Sequence, residues 1–208
     1  MATFRLDIAY EGTGFAGWAV QPGRRTVQGE LEDALARLLG GRVPLSVAGR
    51  TDAGVHALAQ VASFSSEREP PPTLLRALNS MTGPDLAITA ATLAPDGFDA
   101  RRDATSRRYR YRLDTARPPS PFERGRALSW PHRTGVGKLE RCAAALAGEH
   151  DFTAFTPTET SHVHFRRRVL EASWSRESET VLRFEIEADA FMRNMVRVIV
   201  GTMLEVGT

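Results

Sequence analysis

The sequence contains one lysine, one cysteine and no long apolar run, and each of these features limits the classes of protein to which it can belong. Cys142 has no partner for an internal disulfide, which is typical of a reducing compartment, so we expect a cytoplasmic protein. No stretch of about 18 apolar residues occurs, and the first ten residues alternate as a strand does. The sequence therefore predicts neither a membrane helix nor a signal peptide.

Arginine carries almost all of the positive charge: of 27 basic residues only Lys138 is lysine, while the formal net charge is just +2. Arginine makes planar, bidentate contacts with phosphate that lysine does not make. The arginines cluster in sequence, at 101–102, 107–112 and 166–168. This clustering is compatible with a nucleic-acid partner.

Hydrophobic periodicity predicts an α+β protein of two related halves, residues 1–105 and 106–208. We expect the halves to share one mostly antiparallel mixed sheet, with helices packed on it and a central active-site cleft. Helices are predicted at 27–38, 73–81, 139–146 and 190–206, the first capped by Thr26 and the last by Asp189. Strands are predicted at 4–10, 43–48, 58–64, 86–93, 108–113, 169–176 and 181–187.

The most distinctive segment is the polar, glycine-rich stretch 48–57, centred on Asp52. Gly49 and Gly54 bracket this carboxylate, and the predicted strands on either side place it on a tight connection at a strand edge. Aspartate and threonine before Ala-Gly are also ordinary turn formers, so Asp52 has either a functional or a purely local role.

Two other polar segments permit alternatives that the sequence does not favour. The glycines of 11–18 suggest a phosphate-binding loop, but no Gly-Lys-Ser/Thr follows them. His162, His164, His150 and Asp151 suggest metal ligands, but their spacing matches no established site. We therefore predict that residues 11–18 form a structured loop. We also predict that the three histidines and Asp151 are polar loop residues and that the protein binds no metal.

Strand periodicity places Tyr109, Tyr111 and Leu113 on one face of a strand, and Arg108, Arg110 and Arg112 on the other. The arginine row indicates either a solvated sheet surface or contact with a nucleic-acid backbone.

The last predicted helix is apolar nearly all round and is expected to be buried, yet Arg193 and Arg197 share a face of it. A buried arginine needs a carboxylate partner, and Asp52 is a candidate for Arg197.

Six segments closely resemble the tRNA pseudouridine synthase A family, in the same order over nearly the whole chain. They are 10–18, 26–32, 48–56 with the motif Gly-Arg-Thr-Asp-Ala-Gly-Val-His, 108–111, 150–155 and 189–201. The resemblance implies isomerisation of uridine to pseudouridine in the anticodon arm of tRNA, at positions 38, 39 and 40, by a homodimer without cofactor or metal.

The resemblance also implies a role for each matching residue. Asp52 stands at the place of the essential carboxylate, Tyr109 stacks on the target base, Arg50 holds the flipped nucleotide and Arg197 pairs with Asp52. We assign the RNA backbone, with less support, to the arginines of two clusters: Arg108, Arg110, Arg166, Arg167 and Arg168. Asp52 attacks the sugar, attacks the base or removes a proton; we favour the sugar-side routes.

Three features depart from the family pattern: Ala19 replaces a usual glutamine, His164 stands where small residues are common, and the chain stops at Thr208. Because the family continues for another helix and strand, we expect an incomplete chain. Two other functions fit the residues: an RNA-binding protein of the same fold without catalysis, and a small-molecule α+β enzyme.

Overall fold

The computed structural model describes residues 1–68, 70–159 and 163–207. The chain divides into two compact units, Met1–Ala104 and Thr105–Thr208. Both combine helices with a mostly antiparallel sheet, which confirms the α+β class. The described strands form two sheets, one in each unit, where the sequence led us to expect a single shared sheet.

The first unit is a four-stranded antiparallel sheet in the order β2-β3-β1-β4, with two helices. Its elements are β1 (Ala2–Tyr10), α1 (Val27–Leu39), β2 (Ser46–Val47), β3 (Ala57–Ser66), α2 (Leu74–Met81) and β4 (Leu86–Leu93). A short 3₁₀ turn, Gly12–Gly14, follows β1. Leu31 and Leu35 of α1 pack with Leu6, Ile8 and Phe64 of the sheet to form the core.

Helix α1 begins and ends as its sequence predicts. The Thr26 hydroxyl accepts a hydrogen bond from the backbone N–H of Gly29, at 3.3 Å, and so satisfies one of the free amides of the first turn. Gly40 ends the helix with φ of 77°, a left-handed conformation that glycine adopts without steric cost.

The second unit is a five-stranded sheet in the order β6-β5-β9-β8-β7, in which only the β5–β6 pair is parallel. Its elements are β5 (Arg107–Asp114), β6 (Leu128–Ser129), α3 (Val136–Ala144), β7 (Gly148–Asp151), β8 (Arg166–Arg176), β9 (Val181–Ala188) and α4 (Met195–Gly207). Its core contains Leu139 of α3, Trp174 and Phe184 of the sheet, and Ile199 and Met203 of α4.

Two predicted boundaries are wrong in ways that matter for the site. The strand predicted at 43–48 is reduced to Ser46–Val47, because Pro44 has no N–H for a ladder and Leu45 donates its N–H to Glu32. Strand β8 begins at Arg166, so the arginine triplet lies in a strand paired with β7 and not in a loop.

The last helix begins at Met195, five residues later than predicted. The Asp189 carboxylate accepts the backbone N–H groups of Ala190 and Arg168, so it stabilises a turn and does not cap the helix. Asn194 then adopts φ of 59°, which a right-handed helix excludes. Arg193 therefore lies outside α4 and shares no helical face with Arg197.

None of the helices in the described residues is long and apolar enough to cross a lipid bilayer.

Candidate active site

Asp52 is exposed on a tight turn at the start of the connection to β3. The N–H of Val55 donates to the carbonyl of Asp52 at 3.2 Å and closes the turn, and Gly54 has φ of 76°. A glycine with positive φ at the third position is what a type II turn requires. The turn therefore presents the carboxylate to solvent at a fixed place in the backbone.

The loop after β1 holds this turn from one side. The backbone N–H of Trp18 donates to the Thr51 carbonyl at 3.0 Å, and the backbone N–H of Gly54 donates to the Phe15 carbonyl at 3.3 Å. Two backbone bonds thus fix the residues on either side of Asp52. Trp18 itself is fully buried, so the loop is anchored in the core of the first unit.

Two glycines make this close approach possible. A Cβ on Gly12 would lie 2.0 Å from the Val55 carbonyl oxygen, and one on Gly17 would lie 2.8 Å from that of Thr51. Real side chains do not tolerate these separations, so both positions require glycine. The glycine pattern that suggested a phosphate-binding loop is explained by this packing between two loops.

Buried polar side chains hold the turn from the other side. The Tyr10 hydroxyl lies 2.8 Å from the Thr51 hydroxyl, and Gln60 donates its amide N–H to the Gly49 carbonyl at 2.7 Å. Burial raises the pKa of Tyr10, so its hydroxyl remains protonated at neutral pH. Sequence reasoning did not identify Tyr10 or Gln60, because their partners lie 41 and 11 residues away.

His56 ends the motif and joins the turn to Glu11 and Gly12. Its Nδ1 accepts the N–H of Gly12 at 3.1 Å and lies 3.2 Å from a carboxylate oxygen of Glu11. These contacts tie the residue that ends the motif to the loop after β1.

Arg50 precedes the turn with an exposed side chain, and no ion pair joins it to another described residue. Beside the turn, Ala53 and Gly54 line an open depression of about 400 Å³ together with Phe15, Arg24 and Arg25. Arg25 is held by Asp85 at 2.6 and 2.7 Å and by Glu30 at 2.9 Å, and its guanidinium lies 4.1 Å from the centre of the Phe15 ring.

The remaining predicted site residues lie in the second unit. Tyr109 is half-buried on β5 opposite Ile186 and makes an edge-to-face contact with Phe191, with ring centres 4.9 Å apart. Phe191 thereby fixes the plane of the tyrosine ring. Arg197 is exposed in the first turn of α4, where the sequence predicted a buried position. Its pairing with Asp52 stays a prediction.

The arginine row of β5 meets carboxylates of the same sheet face and its flanking turns. Arg108 donates to Glu187 at 2.5 and 3.0 Å, Arg110 to Glu185 at 3.0 and 3.1 Å, and Arg112 to Glu123 and Glu177. Hydrogen bonds from the Ser106 hydroxyl and then from Arg108 lower the pKa of Glu187, and the glutamate partners raise the pKa values of Arg108 and Arg112. The row is therefore a ladder of charge-paired side chains, an arrangement that β5 alone does not reveal.

The arginine triplet opens β8 with alternating exposure. Arg166 and Arg168 are exposed, and Arg167 is half-buried and donates to the carbonyl of Arg166. Arg166 pairs with Glu149 of β7 at 2.7 Å, and both side chains are largely exposed. The hydrogen bond from Arg166, and then the charge of Arg168, which lies opposite Glu149 in the register, lower the pKa of Glu149.

Two of the four residues that the sequence suggests as metal ligands, Asp151 and His150, bond to other protein groups. Asp151 accepts hydrogen bonds from the N–H and hydroxyl of Thr153, and His150 contacts the Ala147 carbonyl at 2.9 Å. His164 is exposed, and His162 lies outside the described residues.

Comparison with known proteins identifies the family. A model of the family described as tRNA pseudouridine synthase matches residues 8–101 and 142–208. The chain belongs to this family.

Proteins named tRNA pseudouridine synthase A are similar to it over nearly its full length. That of Frankia casuarinae is 44% identical, over 100% of this chain and 76% of the relative. That of Leifsonia xyli is 44% identical, over 98% of this chain and 78% of the relative. That of Bacillus subtilis is 40% identical, over 98% of this chain and 83% of the relative. The resemblance read from the sequence is thus confirmed.

Proposed function

We propose that this protein isomerises uridine to pseudouridine in the anticodon arm of tRNA, with Asp52 as the catalytic carboxylate. The observation that carries the proposal is the presentation of Asp52 within a family of tRNA pseudouridine synthases. Its side chain is exposed on a turn whose neighbouring residues are fixed by backbone bonds and by buried Tyr10 and Gln60. A carboxylate held in this way is preorganised for attack or for charge stabilisation.

The reaction breaks the bond from the ribose C1′ to N1 of the base and forms a bond from C1′ to C5, so the atoms of the nucleotide are conserved. The base rotates between the two steps, C5 loses its proton and N1 gains one. We favour a role for Asp52 on the sugar side, either as a nucleophile at C1′ or as the anion that stabilises a cationic sugar. Arg197 is proposed to pair with Asp52 and keep it ionised.

The target base must leave the helical stack before the carboxylate reaches its sugar, at a cost of a few kcal/mol. Tyr109 is proposed to stack on the flipped base, because its ring plane is already fixed by Phe191. Arg50, exposed two residues before Asp52, is proposed to hold the same nucleotide.

We assign the phosphate backbone first to Arg166, Arg167 and Arg168. Arg166 pairs with Glu149, whose side chain is 59% exposed, whereas Arg108 and Arg110 pair with β9 glutamates that are only 21% and 23% exposed. Arg108 and Arg110 are therefore weaker candidates, because each would have to exchange a less exposed partner for a phosphate. We further propose a cytoplasmic homodimer, which the single cysteine and the family resemblance favour.

The proposal is tested by incubating the protein with an unmodified tRNA transcript that carries uridine at anticodon-arm positions 38, 39 and 40, then mapping pseudouridine. We expect pseudouridine at one or more of these positions and none in a matched transcript with cytidine there. Salt-sensitive tRNA binding without any pseudouridine would instead indicate an RNA-binding protein that has lost catalysis.

A further inference from the structure

The segment 115–127, which connects β5 to β6, exposes an aromatic side chain that the proposed reaction does not use. Phe122 is 87% exposed, the most exposed of the large apolar side chains in the described residues. A single exposed apolar side chain is common on protein surfaces, so Phe122 indicates a binding surface only together with the groups beside it.

The exposure does not arise from a loose connection. Asp114, which is buried, accepts the N–H of Ser120 at 2.8 Å and that of Ala116 at 3.0 Å. The Arg112 guanidinium donates two hydrogen bonds to the carboxylate of Glu123, the residue after Phe122. The Ser120 hydroxyl in turn accepts the N–H of Phe122 at 3.3 Å. Interior groups thus fix both the start of the segment and the backbone beside the ring.

Three arginines near Phe122 in sequence have no partner among the described residues. Arg117, Arg124 and Arg126 are all exposed, and none of their guanidinium groups has a hydrogen bond or ion pair with another described residue. The acidic side chain nearest in sequence, Glu123, is already paired with Arg112. The segment therefore combines one flat aromatic face with three free arginines.

We propose that this segment is a second RNA-binding element, in which Phe122 stacks on an unpaired base of the tRNA and Arg117, Arg124 and Arg126 contact phosphates. Proteins that bind single-stranded nucleic acid combine an aromatic face for the base with basic side chains for the backbone. A protein partner fits less well, because a lone aromatic ring among unpaired arginines lacks the contiguous apolar core of a protein interface. The inference rests on the proposed function, since it takes tRNA as the ligand.

The element binds nucleotides other than the target uridine. Glu123, the neighbour of Phe122, pairs with Arg112, which lies three residues from Tyr109 on β5, about 10 Å at roughly 3.3 Å per residue, and on the opposite face of the strand. Loss of the element is therefore expected to weaken tRNA binding without slowing the reaction of bound tRNA.

The test measures the tRNA dissociation constant and the single-turnover rate at saturating protein for Phe122→Ala, Phe122→Leu and Phe122→Tyr. We expect Phe122→Ala and Phe122→Leu to raise the dissociation constant about 5- to 100-fold, and Phe122→Tyr to retain it, because stacking requires a planar ring. The rate at saturation is expected to stay within about twofold of wild type. Leu93→Ala, at a leucine that is 70% exposed in the first unit, is the matched control and is expected to bind normally.

Phe122→Trp supplies a readout that is independent of activity: its added fluorescence is expected to be quenched on tRNA binding, relative to wild type. Normal binding by Phe122→Ala would overturn the proposal. The proposal would also be overturned if Phe122→Leu kept normal tRNA binding while light scattering showed a changed molecular mass for Phe122→Ala. That result would indicate that Phe122 contacts a second copy of the chain. Absence of pseudouridine with the wild type would contradict the proposed function separately, because binding and quenching are still measured.

Discussion

At the residue scale, the turn around Asp52 illustrates what a sequence can and cannot show. Gly49 and Gly54 indicated a presented carboxylate, and the structure has such a turn. Gly12 and Gly17 suggested a phosphate-binding loop and not their packing role, because the atoms that exclude a side chain there belong to Val55 and Thr51. Close approaches between distant segments arise only on folding, so local pattern does not predict them.

Gly12→Ala is expected to destabilise the first unit and lower activity. The added methyl would meet the Val55 carbonyl oxygen at 2.0 Å, so the backbone that holds the Asp52 turn must move. We expect the free energy of unfolding to fall by about 1 to 3 kcal/mol or more, measured by urea denaturation. Gly41→Ala is the matched control, because nothing lies within 4 Å of its added methyl group. Equal stability of the two variants would contradict this account of the turn.

Tyr109→Ala is expected to slow pseudouridine formation about 10- to 100-fold while changing the tRNA dissociation constant much less. The ring is proposed to hold one flipped base, whereas phosphate contacts supply most of the affinity. Single-turnover rates and filter binding measure the two quantities. Tyr109→Phe is expected to behave nearly as wild type, because it keeps the aromatic face and the edge contact with Phe191. Losses of rate and affinity of equal size in the alanine variant would refute the stacking role.

At the element scale, periodicity located the four helices and seven of the nine described strands, with errors at their ends, and did not predict the short, exposed strands β6 and β7. Strand β4 has the predicted bounds, and α1 has the predicted cap, because both signals are local. Helix α4 was predicted too long because Phe191 and Met192 are apolar, which indicates burial but not helix. The glutamate partners of Arg108 and Arg110 follow from the register between β5 and β9, which no single strand encodes.

The Arg25 clamp ties the start of α1 to the turn before β4, and it predicts a pH dependence of stability. Hydrogen bonds from Arg25 lower the pKa of Asp85 below its usual value. Because the folded-state pKa is the lower one, the stabilisation is present above the unfolded pKa of about 3.9 and is lost as the pH falls through the folded value. We expect Asp85→Asn to be less stable than wild type at pH 7, with the difference shrinking below about pH 4. Urea unfolding across pH measures it, and a gap that is constant down to pH 2 would contradict the assignment.

At the scale of the whole molecule, ion pairs divide the arginines into groups that differ in their availability for phosphate. Some guanidinium groups are held by carboxylates, including those of Arg25, Arg108, Arg110 and Arg112. The exposed Arg166 and Arg168 are among those more available for phosphate.

The salt dependence of tRNA binding is expected to separate the two arginine groups. Arg166→Gln with Arg168→Gln removes two proposed phosphate contacts, so the slope of log affinity against log salt is expected to decrease by about 1.5 to 2. Arg108→Gln with Arg110→Gln removes the same formal charge from residues paired with the less exposed Glu187 and Glu185, and is expected to change the slope much less. Filter binding across a salt series provides both slopes. A larger change for the second pair would reverse our assignment of the backbone contacts.

The most direct test of the central claim compares Asp52→Asn with wild type in single-turnover pseudouridine formation on a tRNA transcript. Asn keeps the size of the side chain and removes its charge, and the residue is exposed, so folding and tRNA binding are expected to be preserved. Asp33→Asn, at an exposed aspartate of α1, is the matched control and is expected to react as wild type does. We expect Asp52→Asn to lose at least about 1,000-fold in rate. Pseudouridine formation at a near wild-type rate by Asp52→Asn would contradict the role of this carboxylate.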